Sequence, residues 1–104
     1  MVNPYAGEVA LVINGKSHVC KLTLGALAEL ETSLGADTLI ALVQRFEGGA
    51  YSSRDVMALL VAGLRGGGWT GSTTDLLTAD FEGGLIGAAK VAASLLARAF
   101  TPPV

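Results

Sequence analysis

His18 is the single histidine in this sequence, the residue type most used for acid–base chemistry at neutral pH. A catalytic histidine needs a nucleophile or a carboxylate within reach, and no motif supplies one. Its place near a tight turn reads as a partly exposed strand residue. Cys20 is the single cysteine. A reactive thiol needs a cationic, partly open setting. Lys21 is adjacent but points to the opposite strand face, so Cys20 reads as a small buried hydrophobe. Gly66-Gly67-Gly68 suggests a phosphate loop, yet a P-loop needs a lysine and a preceding strand. Here the glycines follow a helix pattern, so they read as a helix stop opening a flexible loop. Asp75, Asp80 and Glu82 lack calcium-loop spacing and read as caps and solvated charge. Arg45, Arg54 and Arg65 fall near helix ends, where they complement helix dipoles or lie on the surface. Trp69 follows the glycines and is either a core plug or an exposed anchor for a partner. No catalytic residue, cofactor site or metal site is expected.

Composition agrees with that poverty of chemistry. The 104 residues carry seven Lys+Arg against nine Asp+Glu, net −2, with only 15% charged. No basic surplus exists for nucleic-acid phosphates. Hydrophobic residues make up 51%, ample for a packed core, which argues against disorder. Mean hydropathy is +0.54, which raises the question of a membrane. A spanning helix needs about 20 apolar residues. Val56 to Leu64 lies between Asp55 and Arg65, and Val91 to Ala97 between Lys90 and Arg98. Neither is long enough. The first five residues lack the charged and apolar regions of a signal peptide. No membrane association is expected, and the expected location is cytoplasmic.

The elements come next. Glu8 to Ile13 is a β-type run, followed by Asn14-Gly15 and then Lys16 to Leu22. Asn-Gly fits a type I′ turn, so residues 8–22 read as a two-residue hairpin. That register pairs Ile13 with Lys16, Leu11 with His18, Val9 with Cys20 and Glu8 with Lys21. Val9, Leu11, Cys20 and Leu22 fall on the face to be buried. Thr23 is the N-cap of a helix with Leu24, Leu27, Leu30 and Leu34 as its stripe, stopped at Gly35. Asp37 caps a second helix striped by Leu39, Leu42, Val43 and Phe46, ended by Gly48-Gly49. Ser52 with Asp55 starts a third, with Val56, Leu59, Leu60 and Leu64. Ser72 with Asp75 starts a short turn at Leu76-Leu77. The last helix carries Leu85, Ala89, Ala92, Leu96 and Phe100 and stops at Thr101-Pro102-Pro103. The fold class is α+β: an N-terminal hairpin, then four or five short helices over 24–100 and a tail at 101–104. No linker divides the chain, so 1–104 reads as a single domain.

Several blocks carry a family resemblance. Asn3 to Lys16 reads NPYAGEVALVINGK and Leu22 to Glu31 reads LTLGALAELE. SSRDVMALL (52–60), AGLRGGG (62–68) and EGGL (82–85) continue it over most of the chain. The combination resembles small proteins encoded among the tail genes of gene transfer agents, phage-like particles made by alphaproteobacteria, and of related tailed phages and prophages. The family's motifs are structural, so no catalytic residue carries over. The resemblance implies one of two roles in virion morphogenesis. One is a tail assembly chaperone that holds the helical tape-measure protein until the tube forms. The other is a structural tail tube subunit, found in the particle tail. Tube subunits of the usual kind are β-rich, whereas one hairpin and many helices suit contact with a helical client. The expectation is therefore the chaperone, with tape-measure or other tail proteins as partners and a possible homo-oligomer. The expected protein-binding residues are Trp69, Gly67, Gly68, Leu85 and Phe100.

Overall fold

The computed structural model describes residues 2–3, 6–35 and 38–100. It contains β1 (Val9–Ile13), β2 (Lys16–Cys20), α1 (Leu24–Leu34), α2 (Leu39–Glu47), α3 (Ser53–Gly66), α4 (Thr73–Leu76) and α5 (Gly84–Phe100). The class is α+β, as the sequence predicts.

Asn14 and Gly15 both take positive φ, 51° and 78°, the conformation a type I′ turn requires. The ladder runs from Ile13–Lys16 through Leu11–His18 to Val9–Cys20. It stops there, so the expected Glu8–Lys21 pair does not form part of it. The Glu8 carboxylate instead accepts the Asn3 N–H at 2.7 Å, and the Lys21 N–H donates to the Gly63 carbonyl of α3 at 2.8 Å. Val9, Leu11, Ile13, Cys20 and Leu22 are all buried. The end of β1 also meets a second segment. Ile13 bridges Phe81, the Glu82 N–H donates to the Val12 carbonyl at 3.1 Å, and the Asn14 N–H donates to Asp80 at 2.8 Å.

α3 is the axis of the core. Val56 and every residue from Leu59 to Leu64 are buried, so the helix is enclosed by α1, α5 and the hairpin rather than merely striped. A helix can lie this close to strand backbone only where side chains are missing. A Cβ on Gly66 would stand 2.0 Å from the Lys21 carbonyl oxygen, and one on Gly67 would stand 2.0 Å from that of Val19. The expected flexible loop is therefore corrected: Gly66 and Gly67 form a close contact between α3 and β2. Only Gly68, at φ 102°, needs the left-handed region.

The caps follow the sequence. Thr23 Oγ1 accepts the Ala26 N–H at 3.1 Å, and Ser52 with Asp55 forms a reciprocal capping box. Asp37 lies outside the described residues, as does the stop at 101–103; the cap observed on α2 is Thr38, which accepts the Ala41 N–H at 3.0 Å. Two stripes are offset from expectation. α1 buries Ala26 and Leu30 while Leu24 is 85% exposed. α5 buries Ala88, Ala92, Leu95 and Leu96 while Leu85 is 72% exposed. Both exposed leucines lie in the first turn of their helix, before it reaches the core.

Arg45 does more than face the α2 dipole. Its Nε and Nη2 donate to the two Asp55 carboxylate oxygens, each at 2.9 Å. This ties the end of α2 to the start of α3. The guanidinium holds the Asp55 carboxyl below its ordinary range, with the Ser52 N–H assisting and partial burial opposing.

Three variants test these contacts. Gly67→Ala should cost about 2 to 3 kcal/mol by forcing α3 away from β2. Gly25→Ala, whose Cβ would find only Thr23 Oγ1 at 4.0 Å, should stabilise by about 0.5 to 1 kcal/mol through helix propensity. Urea denaturation of both variants checks the pair. For Asp55 the folded pKa is depressed, so its stabilisation is present above the ordinary value of 3.8 and is lost as pH falls through the folded value. Asp55→Asn should flatten the acid limb of a Tm-against-pH curve and lower stability near pH 7 by about 2 kcal/mol or more.

Candidate functional site

The two candidate reactive groups, His18 and Cys20, lie two residues apart on β2. Cys20 is 0% exposed, and burial pushes its thiol pKa up to about 12, so it is a poor nucleophile at neutral pH. His18 is half-buried opposite Leu11. Among the described residues no group of three or more His, Cys, Asp or Glu could hold a metal ion. No helix among them is long and apolar enough to cross a membrane. The surface also carries large exposed apolar side chains, Leu24, Ile40, Leu77, Leu85, Ile86 and Phe100 among them.

The five expected binding residues do not form one site. Gly67 is exposed, yet its place is set by the Val19 carbonyl beneath it. Trp69 is half-buried against the core, between the two alternatives. Its backbone N–H donates to the Leu64 carbonyl at 2.9 Å, and its indole lies over Gly71, where a Cβ would be 2.1 Å from Cζ2. Trp69 and Gly68 line a shallow groove with Thr23, Gly25 and Arg65. The Arg65 guanidinium there is paired with Glu29 at 2.6 Å.

Phe100 belongs to another place. It is 49% exposed and borders a groove of about 360 Å³ between α2 and α5, with Val43, Phe46, Ala93 and Leu96. Phe46 is itself braced by Tyr51, the two rings stacked 4.5 Å apart at 8°. Leu85 stands near the opposite end of α5, about 22 Å from Phe100 at the helical rise. Ile86 beside it is 72% exposed.

The residues missed from sequence are Ile86, Val43 and Phe46. A signal for the first was available. Ile86, Ala93, Ala97 and Phe100 repeat at helical spacing within about 60° of arc, and all four are exposed. Val43 and Phe46 look like core from their spacing. Only the angle between α2 and α5 leaves a gap over them.

Trp69 is the single tryptophan, so its fluorescence reports this corner directly. Gly71→Ala should displace the indole and shift emission to longer wavelength. Trp69→Ala should lower stability by about 2 kcal/mol, less than for a fully buried indole. An unchanged emission maximum in Gly71→Ala would count against the ring placement.

The comparisons extend this reading. A family model described as phage tail tube protein, GTA-gp10, matches residues 6–101. No curated protein and no solved structure matches the chain. The matched span contains the hairpin, all five helices and both grooves. A tail component needs surfaces for other proteins rather than a reaction centre, and this chain belongs to the phage tail tube protein family GTA-gp10.

Proposed function

We propose that this protein is a non-enzymatic structural subunit of a phage-like tail, working as one 104-residue domain through apolar contacts with neighbouring tail proteins. The observation that carries the proposal is the family match over residues 6–101, whose description is a tail tube protein. This reverses the preference drawn from helix content, which favoured the chaperone. The contact surfaces in this reading are the α2–α5 groove with Phe100 and the exposed first turn of α5 with Leu85. Trp69 and Gly68 line a further candidate surface. Gly67 serves the fold more than the interface.

A second reading keeps one specific observation. Among the described residues the sheet has two strands and the rest is helical. A helix-lined apolar groove fits a helical client such as a tape-measure protein. In that role the protein would act in the cytoplasm during assembly and be left out of the finished particle.

Quantitative mass spectrometry of purified particles distinguishes the two. The structural reading expects many copies of this chain per tail. Its absence from particles, together with recovery bound to tape-measure protein in lysates, would establish the chaperone instead.

A further inference from the structure

The outer edge of β1 is covered by this chain's own segment 80–82. Strands exchange backbone hydrogen bonds through alternate residues on each side. Val12 and Asn14 turn theirs away from β2. The Val12 carbonyl accepts the Glu82 N–H, and the Asn14 N–H donates to the Asp80 carbonyl. The Asn14 side chain adds a further bond, its Oδ1 accepting the Asp80 N–H at 2.9 Å. At the other end of the strand, the Arg98 guanidinium donates to the Glu8 carbonyl. Ala10, with the same parity, lies exposed between these two covers. The edge is thus guarded at both ends by parts that are not strands of a sheet.

We propose that segment 80–82 is a releasable guard, and that its release lets β1 pair antiparallel with β1 of a second copy. The strand explains the choice of occupant. Val9-Ala10-Leu11-Val12-Ile13 carries no charge, proline or glycine, the type of strand that adds to a like edge. It is also self-complementary about Leu11. With Leu11 opposite its own copy, Ala10 of each strand faces Val12 of the other, so their outward groups meet, while Glu8 keeps its backbone bonds to Asn3 and Arg98. A two-fold pairing of this kind makes one four-stranded sheet, β2-β1-β1-β2.

The guard is built to leave. It is held by three hydrogen bonds and the half-buried Phe81. On one side it joins the four-residue α4. On the other it runs into Gly83 and Gly84, consecutive residues at φ 79° and 64°, where backbone rotation meets little steric resistance. Asp80 and Glu82 are exposed, and their charges discourage strand addition while the guard is closed. The pairing needs only this chain, so its failure would leave the tail-subunit reading intact.

Asn14→Gly tests the guard with the turn preserved, because Gly-Gly also fits type I′. Glu82→Pro removes the donor to Val12. Both variants should dimerise in sedimentation between about 10 µM and about 500 µM, with new amide protection at Ala10. Ile13→Cys with Phe81→Cys, oxidised, closes the guard across a directly opposed pair and should stay monomeric; Cys20 is buried and does not compete. In the unaltered chain, the Glu82 amide should exchange at least about tenfold faster than the β1–β2 ladder amides. Folded but monomeric open variants would overturn the proposal. So would dimerisation of the closed variant, or a Glu82 amide as slow as the ladder.

Discussion

The close approach of α3 to β2 is the contact on which the remaining structure depends. A two-stranded hairpin is marginal in water and must cover one face. Here it covers that face with the C-terminal half of α3, and the approach is limited by backbone, not side chains. Gly66 and Gly67 bring the helix within a Cβ radius of the Lys21 and Val19 carbonyls. Gly63 receives the Lys21 N–H and lets the Leu95 side chain of α5 lie 2.7 Å from where its own Cβ would be. Gly63 and Gly66 of α3, with the capping Gly67, thus seat the hairpin on one side and α5 on the other. The helix-propensity cost of the interior Gly63 is about 1 kcal/mol, and it is offset by the burial that the close contact permits.

Local chemistry was legible in the sequence wherever it was settled by neighbours in the chain. The Asn-Gly turn fixed the hairpin register residue by residue, because a two-residue loop leaves no freedom to slip. Thr23 and the Ser52–Asp55 box announced helix starts for the same reason. What could not be read depended on partners distant in sequence. The stripe through Leu24 assumed that Leu24 faces the core, but α1 turns Ala26 and Leu30 inward against α3 and leaves Leu24 outside. Leu85 fails alike at the start of α5. The run of three glycines was ambiguous because a loop and a close contact use the same residue for different reasons. Arg45 and Asp55 are ten residues apart and meet only once α2 has turned back on α3.

The candidate surfaces show the same division. Phe100 and Leu85 read from the sequence as exposed apolar positions on the last helix, and both are exposed. Their separation along α5 was not legible there, nor was the role of α2 in making a groove at one end only. The excess hydropathy of the chain divides accordingly. Much of it lies in α3 and the buried faces around it. The rest sits at Leu24, Ile40, Leu77, Leu85, Ile86 and Phe100, all exposed. Singly exposed apolar residues need no explanation. Here Leu85 and Ile86 adjoin at one end of α5, while Phe100 adjoins a groove with Val43 and Phe46 at the other.

A tail protein must fold without assembling and later assemble without unfolding. Those demands conflict if one surface serves both. In this chain they fall on separate parts. Folding rests on α3 and the glycine contacts, deep and backbone-limited. The surfaces proposed for other proteins lie on the outward sides of α5 and α2 and on the β1 edge, away from the faces these elements bury in the core. The segment 80–82 is the place where the two demands touch, since it closes a strand edge without supplying a core side chain as buried as Leu59 or Leu64. Opening it exposes backbone hydrogen-bonding groups while leaving α3 enclosed. Its hold on β1 can therefore be weak without making the fold weak.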